Sequence, residues 1–238
     1  MFKIQTQCKQ YYILLIAFLN LSFIGFLNSN SFANDGNKPI FEENFEQGSQ
    51  HWEMTDSNAW TVSKDDKGNH LLCLTGPSKY EPAVRSPKSI ALIKDVEFED
   101  FTLTVRAKQT GKEYGHRDLC FFFGYQDPTH FYYVHIATKA DDHAHSIFLV
   151  NNEPRVSIAK ERTKGADWAQ DFHQITIVRD TKTGKIEVYY DDMEKPIMAT
   201  EDKTFVKGKI GLGSFDDTGC FDDLKIWNTA NKNLAIPK

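Results

Sequence analysis

Cysteine is scarce in this chain of 238 residues, with four in all. Cys8 lies near the start, and Cys73, Cys120 and Cys220 are far apart, with no C-x-x-C pair. That spacing excludes a cysteine-rich zinc site and leaves room for at most one disulfide among the last three. Positive charge is also short, with 28 Lys and Arg against 33 Asp and Glu and a formal net charge of −5. Nucleic-acid binders present a basic face, so the balance argues against that class. Beyond the first 33 residues no segment of ten or more shows a 3.6-residue apolar period, so amphipathic helices are missing. A G-x-S-x-G elbow, a phosphate-cradling glycine loop, an internal repeat and an inter-domain linker are missing too.

Apolar and aromatic residues are present in quantity, at 40% and 13% of the chain, enough for one sizeable core. Lys3 and Lys9 precede an apolar run from Tyr11 to Leu27, and Ser31-Phe32-Ala33 ends the polar stretch that follows. This is the layout of a secretory signal peptide cleaved after Ala33, and it predicts a periplasmic, cell-surface or secreted protein with no remaining span. Retention of the run as an anchor helix is the alternative. Removal of residues 1–33 takes away two lysines and no acids, moving the net charge from −5 to −7.

The rest reads as short strands and turns. Phe101, Leu103, Val105 and Ala107 alternate with Thr102, Thr104, Arg106 and Lys108, the period of a strand with one buried side. Similar runs occur at 71–74, 119–125, 131–137, 145–150, 174–179, 185–190, 209–212 and 221–227, separated by Gly, Pro, Asn and Asp. Residues 34–238 are therefore expected to form one monomeric all-β domain, an antiparallel β-sandwich or barrel with its core over about 40–227.

Three stretches carry a resemblance. The run Tyr125-Gln-Asp-Pro-Thr-His-Phe-Tyr-Tyr-Val-His-Ile136 resembles paired core strands of laminin-G-like and concanavalin A-like jelly rolls. Phe172-His-Gln-Ile-Thr-Ile-Val-Arg-Asp180 with Lys185-Ile-Glu-Val-Tyr-Tyr-Asp-Asp192 is similar to their following hairpin. Gly208–Ser214 and Phe221–Ile226 resemble the closing strands, and Phe41–Phe45 the opening one. The nearest subgroup contains 3-keto-disaccharide hydrolase-type domains. The resemblance implies a jelly-roll fold and a carbohydrate partner, without choosing between lectin, hydrolase and lyase.

Histidine density between 116 and 145 marks the candidate site. On a strand, Tyr132, Val134 and Ile136 would face the core and Tyr133 and His135 the opposite side. His143 and His145 would join them from the next strand. Tyr133, His135, His143, His145 and Arg117 form a candidate acid/base set. His135, His143 and His145 could instead supply three zinc ligands. His116, Asp142 and Trp168, the last in a polar loop suited to stacking on a sugar, are candidate ligand contacts. Trp168 could equally plug the end of the sandwich. Trp52, Trp60, Phe121, Phe123, Tyr190 and Phe215 read as core. Related jelly rolls hold calcium where first and last strands meet, which implies Glu43 and Asp222 as ligands. No paired-carboxylate glycosidase motif is present. Carbohydrate binding, glycoside or 3-keto-disaccharide cleavage, and a structural or adhesive envelope role are the three open readings.

Overall fold

A computed structural model describes residues 38–169 and 171–228; the apolar run and the cleavage point at Ala33 lie outside them. The described residues form sixteen strands. β1 (Phe41–Glu43), β2 (Trp52–Met54), β3 (Trp60–Lys64), β4 (His70–Leu74) and β5 (Ser89–Ile93) come first. The long strands β6 (Phe101–Gln109), β7 (Asp118–Asp127) and β8 (His130–Ala137) follow, with β9 (Ser146–Asn151), β10 (Val156–Ser157) and β11 (Glu161–Arg162). The chain closes with β12 (His173–Asp180), β13 (Lys185–Tyr190), β14 (Met198–Glu201), β15 (Lys209–Ser214) and β16 (Gly219–Trp227).

All pairings are antiparallel. One sheet runs β11-β14-β13-β12-β6-β16-β4-β3, with β1 also paired to β16; the other runs β10-β9-β8-β7-β15-β5-β2. Alternation decides what lies between them. Phe101, Leu103, Val105 and Ala107 of β6 and Tyr132, Val134 and Ile136 of β8 share one buried cluster. Rings meet across the sandwich, Phe101 with Phe123 at 5.9 Å and Phe121 with Phe221 at 6.1 Å. Burial of each large side chain contributes about 1.5–3 kcal/mol.

The far side of the seven-stranded sheet, where Tyr133 and His135 were expected, is largely apolar. Cys120, Phe122, Phe131, Tyr133 and Phe148 form a second apolar cluster there. Val84, from the connection 75–88, packs against that cluster. The apolar layer gives way to polar side chains where β7 begins and β8 ends, and the pocket described below lies there.

The covalent tie within the sandwich joins Cys73 to Cys220, directly opposite each other on β4 and β16. This is the one disulfide that three cysteines allow, and Cys120 is the free, buried thiol. The 147 residues between the partners hid the pairing from sequence reading.

The connection from β8 to β9 corrects the expected register. His145 lies before β9 with φ of 54°, a left-handed conformation that turns its ring off the line of His135. Three hydrogen bonds hold it there. Its N–H donates to His135 Nδ1 (3.2 Å), its Nδ1 accepts from the Ala137 N–H (3.4 Å), and Nε2 meets Thr163 Oγ1 (2.8 Å). Burial pushes its pKa down to about 4.

Two outcomes follow. Residues 34–238, unfolded without reductant, should titrate one thiol, and three after reduction; reduction should cost about 3–5 kcal/mol of stability, measured by denaturant melts. His145 titrates near its ordinary value when unfolded and lower when folded, so the unfolded state takes up the extra proton. Its contribution is complete above about pH 6.5 and is lost as pH falls towards 4, about 3 kcal/mol in all. A His145→Gln protein should show a correspondingly flatter stability profile across that window.

Candidate functional site

The pocket is a cleft of about 200 Å³ lined by Arg85, Tyr114, His116, Asp118, His135, His143, Ala144, Arg155, Phe215 and Asp216. Its floor is built from Asp118, 1% exposed at the start of β7. Asp118 Oδ2 lies 3.0 Å from His135 Nε2 on β8. Oδ1 accepts from Ser214 Oγ (2.7 Å) and the Phe215 N–H (2.9 Å), at the end of β15. Burial alone would raise this carboxyl, but His135 and the two donors outweigh it and hold it below the usual carboxylate range. Because His135 Nδ1 accepts from the His145 N–H, the network assigns the imidazole proton to Nε2, facing Asp118. Both nitrogens of His135 are thereby committed to the fold.

Arg155 forms the opposite side. Its guanidinium lies 4.6 Å from the Phe148 ring centroid and 4.4 Å from that of Phe215. It also donates to Tyr133 Oη (2.7 Å) and to the His143 carbonyl (2.7 Å). Two cation–π contacts and two hydrogen bonds fix its plane. Gly213 on β15 makes a close approach possible, since a Cβ there would stand 1.9 Å from the Ser89 carbonyl oxygen. The rim is different. Among the described residues the Arg85 guanidinium, the His143 ring and the Asp216 carboxylate have no hydrogen-bond partner, and all three are exposed. His116 pairs with Asp141, whose Oδ1 also accepts from the His143 N–H.

Beneath Asp216, Asp217 accepts from Tyr114 Oη (2.6 Å) and from the Asp118 N–H (3.0 Å). Burial pushes its carboxyl up to about 6, with the Asp118 charge adding and the Tyr114 bond opposing.

His116, His135 and His143 are thus brought to one pocket, and the other expected residues are not. Tyr133 faces the outer side as expected but is fully buried, stacked on Phe148 at 5.1 Å, and reaches the pocket only through Arg155. Burial pushes its hydroxyl well above the phenol range. The His145 ring points to Thr163, so the expected three-histidine zinc set is not assembled. Arg117 precedes Asp118 and points the other way, to Thr138 Oγ1 at 3.3 Å and Glu113 at 3.8 Å. Asp142 is exposed outside the pocket, and its neighbour Asp141 does the bonding. Trp168 is 0% exposed, with Nε1 donating to the Ile136 carbonyl at 3.0 Å, so it plugs the sandwich rather than facing a ligand. Phe215 lines the pocket instead of the core.

Sequence reading missed Asp118, Arg85, Arg155, Tyr114 and Asp216 as pocket groups. A buried-parity aspartate opening a strand was the available signal for Asp118; nothing local marked the two arginines.

Glu43 and Asp222 lie close to the β1–β16 pairing, where residues 42–44 and 223–225 line a second cleft. Glu43 bonds the Phe45 N–H (2.9 Å) and His51 (3.1 Å), and Asp222 Oδ2 accepts from Asn69 (2.8 Å). Asp222 Oδ1 is buried without a partner. Arg106 lies 3.6 Å from Oδ2, and the unsatisfied Oδ1 is the oxygen that a calcium ion would engage.

No family model and no curated protein matches the sequence. Solved structures match in shape. Carbohydrate-binding module CBM66 from Bacillus subtilis gives a TM-score of 0.52 at 18% identity, over 74% of this chain and 95% of that one. Domain 4 of AbnA, a GH43 extracellular arabinanase from Geobacillus stearothermophilus in complex with arabinotriose, gives 0.51 at 12%, over 80% and 92%. The cellulose-induced protein Cip1 gives 0.53 at 13%, over 79% and 97%. Identities this low carry architecture and nothing finer. The chain is an antiparallel jelly-roll sandwich, the fold these proteins share.

Proposed function

We propose that the pocket on the outer face of the seven-stranded sheet binds a carbohydrate, one sugar ring deep. The observation that carries the reading is the contrast between floor and rim. Asp118, His135 and Arg155 are locked by protein partners, while Arg85, His143 and Asp216 stand unpartnered around the opening. Donors and an acceptor held apart by a rigid floor suit the hydroxyls of a sugar, and Phe215 adds an apolar wall. The volume is below the ~300–1,000 Å³ of most ligand pockets, which favours a single ring over an extended chain. The shape match to a carbohydrate-binding module and to a domain solved with arabinotriose supports this reading.

Binding is favoured over cleavage because His135 has no free nitrogen and His145 and Tyr133 do not open to the pocket. His143 and Asp216 are the acid/base groups left unbonded at the rim, and the cleavage reading rests on them. Export remains the proposed location, supported by a disulfide that oxidising compartments preserve. Calcium at Asp222 is a second proposal, carried by the orphaned Oδ1.

Calorimetry against a panel of plant, algal and host glycans, with product detection alongside, tests the first reading. The parent should bind at least one glycan, releasing no product. Arg85→Ala and His143→Ala should each weaken binding about tenfold or more, roughly 1.4 kcal/mol, at unchanged melting temperature. Release of product, lost in His143→Ala, would establish cleavage instead. An absence of both across the panel would leave the envelope role. Calcium should raise the melting temperature of the chelator-stripped parent, and Asp222→Asn should reduce that rise; an equal rise in both would remove Asp222 as a ligand.

A further inference from the structure

Where the turn after β15 meets the end of β6, carboxylate oxygens gather. Ligand atoms of Asp118, Asp216 and Asp217 all lie within 4.8 Å of one another. Both Asp118 oxygens are committed to Ser214, Phe215 and His135. Asp217 uses Oδ2 for Tyr114 and for the Asp118 N–H, which leaves Oδ1, and Asp216 has no hydrogen bond among the described residues.

A second and independent feature faces this group. Gln109, the last residue of β6, is 0% exposed, and neither Nε2 nor Oε1 of its amide has a hydrogen-bond partner. An unmade bond at a buried polar atom costs about 1–3 kcal/mol, so two on one side chain call for an occupant. Gly111 locates it. A Cβ built there would stand 2.8 Å from Gln109 Nε2, 3.2 Å from Asp217 Oδ1 and 3.6 Å from Thr218 Oγ1. The three side chains thus converge where residue 111 has no side chain, a cradle in which Thr218 Oγ1 also accepts from Thr110 Oγ1 at 3.0 Å. The two ends of the Gln109 amide interchange by a half-turn, and with Oε1 inward every donor is oxygen.

We propose that a calcium ion binds in this cradle, held by Asp217 Oδ1, Gln109 Oε1 and Thr218 Oγ1 and completed by water, separate from any ion at Asp222. Calcium accepts six to eight oxygens in irregular geometry at about 2.3–2.6 Å, whereas magnesium demands a near-octahedral set. Donors drawn from a strand end and a turn, completed by water, meet the first requirement and not the second. Asp118 contributes charge from behind, its own oxygens being engaged.

The test is titration of calcium chloride into the chelator-stripped full chain by calorimetry, with magnesium chloride as comparison. The Asp222→Asn protein should still bind one calcium, at least tenfold more tightly than magnesium. Adding Asp217→Asn should abolish that binding. Adding Gly111→Ala instead should weaken it tenfold or more by filling the cradle while leaving every ligand in place. Near-UV circular dichroism verifies that each protein is folded, and Gly111→Ala decides the matter should Asp217→Asn fail to fold. Absence of calcium binding in Asp222→Asn, or binding there that neither added substitution changes, would overturn the proposal and assign the Gln109 bonds to water.

Discussion

One buried carboxylate organises the functional end of this protein. Asp118 brings together three neighbouring strands of one sheet, since its partners are His135 on β8 and the Ser214–Phe215 corner that ends β15. Removing a carboxylate from water costs several kcal/mol unless donors replace the lost hydration, and here His135, Ser214 and the Phe215 N–H do so, with the Cys120 thiol at 3.6 Å as a weaker fourth. Loss of any of them would leave a buried charge short of a partner, a change of about 3–5 kcal/mol when a buried pair is broken. The position of Phe215, and through it the stacking on Arg155, depends on that carboxylate.

Rigidity and availability are therefore separated in space. The floor consists of groups whose hydrogen bonds are complete, and the rim of groups whose bonds are open. Histidines illustrate the division well: His135 is fixed at both nitrogens, His145 faces Thr163, and His143 stands free. Residue type alone could not have sorted them, because all three share the same intrinsic chemistry.

The strands were legible because alternation is a local property. The period-two run from Phe101 to Lys108 places its apolar members in the core, and the opposition of Tyr132/Val134/Ile136 to Tyr133/His135 holds in the structure. Local reading failed where the answer lay far along the chain. Trp168 looked like a loop aromatic because its acceptor, the Ile136 carbonyl, is 32 residues away. Arg155 gave no signal because Phe148, Phe215 and Tyr133 come from three different strands or their ends. His145 was misplaced by a single left-handed residue, enough to start β9 one position later and redirect a ring.

The placement of β16 has a consequence for biosynthesis. This last strand pairs along one side with β6 and along the other with β4 and then β1, so the sheet has a gap in its middle until Trp227 is available. A chain emerging from its N-terminus cannot complete either the hydrogen-bond ladder or the Cys73–Cys220 bond until β16 itself has been synthesised. Non-local strand pairing of this kind makes folding slow and leaves edges open meanwhile. Until that strand arrives, neither the ladder in the middle of the sheet nor the covalent tie holds the earlier strands in place.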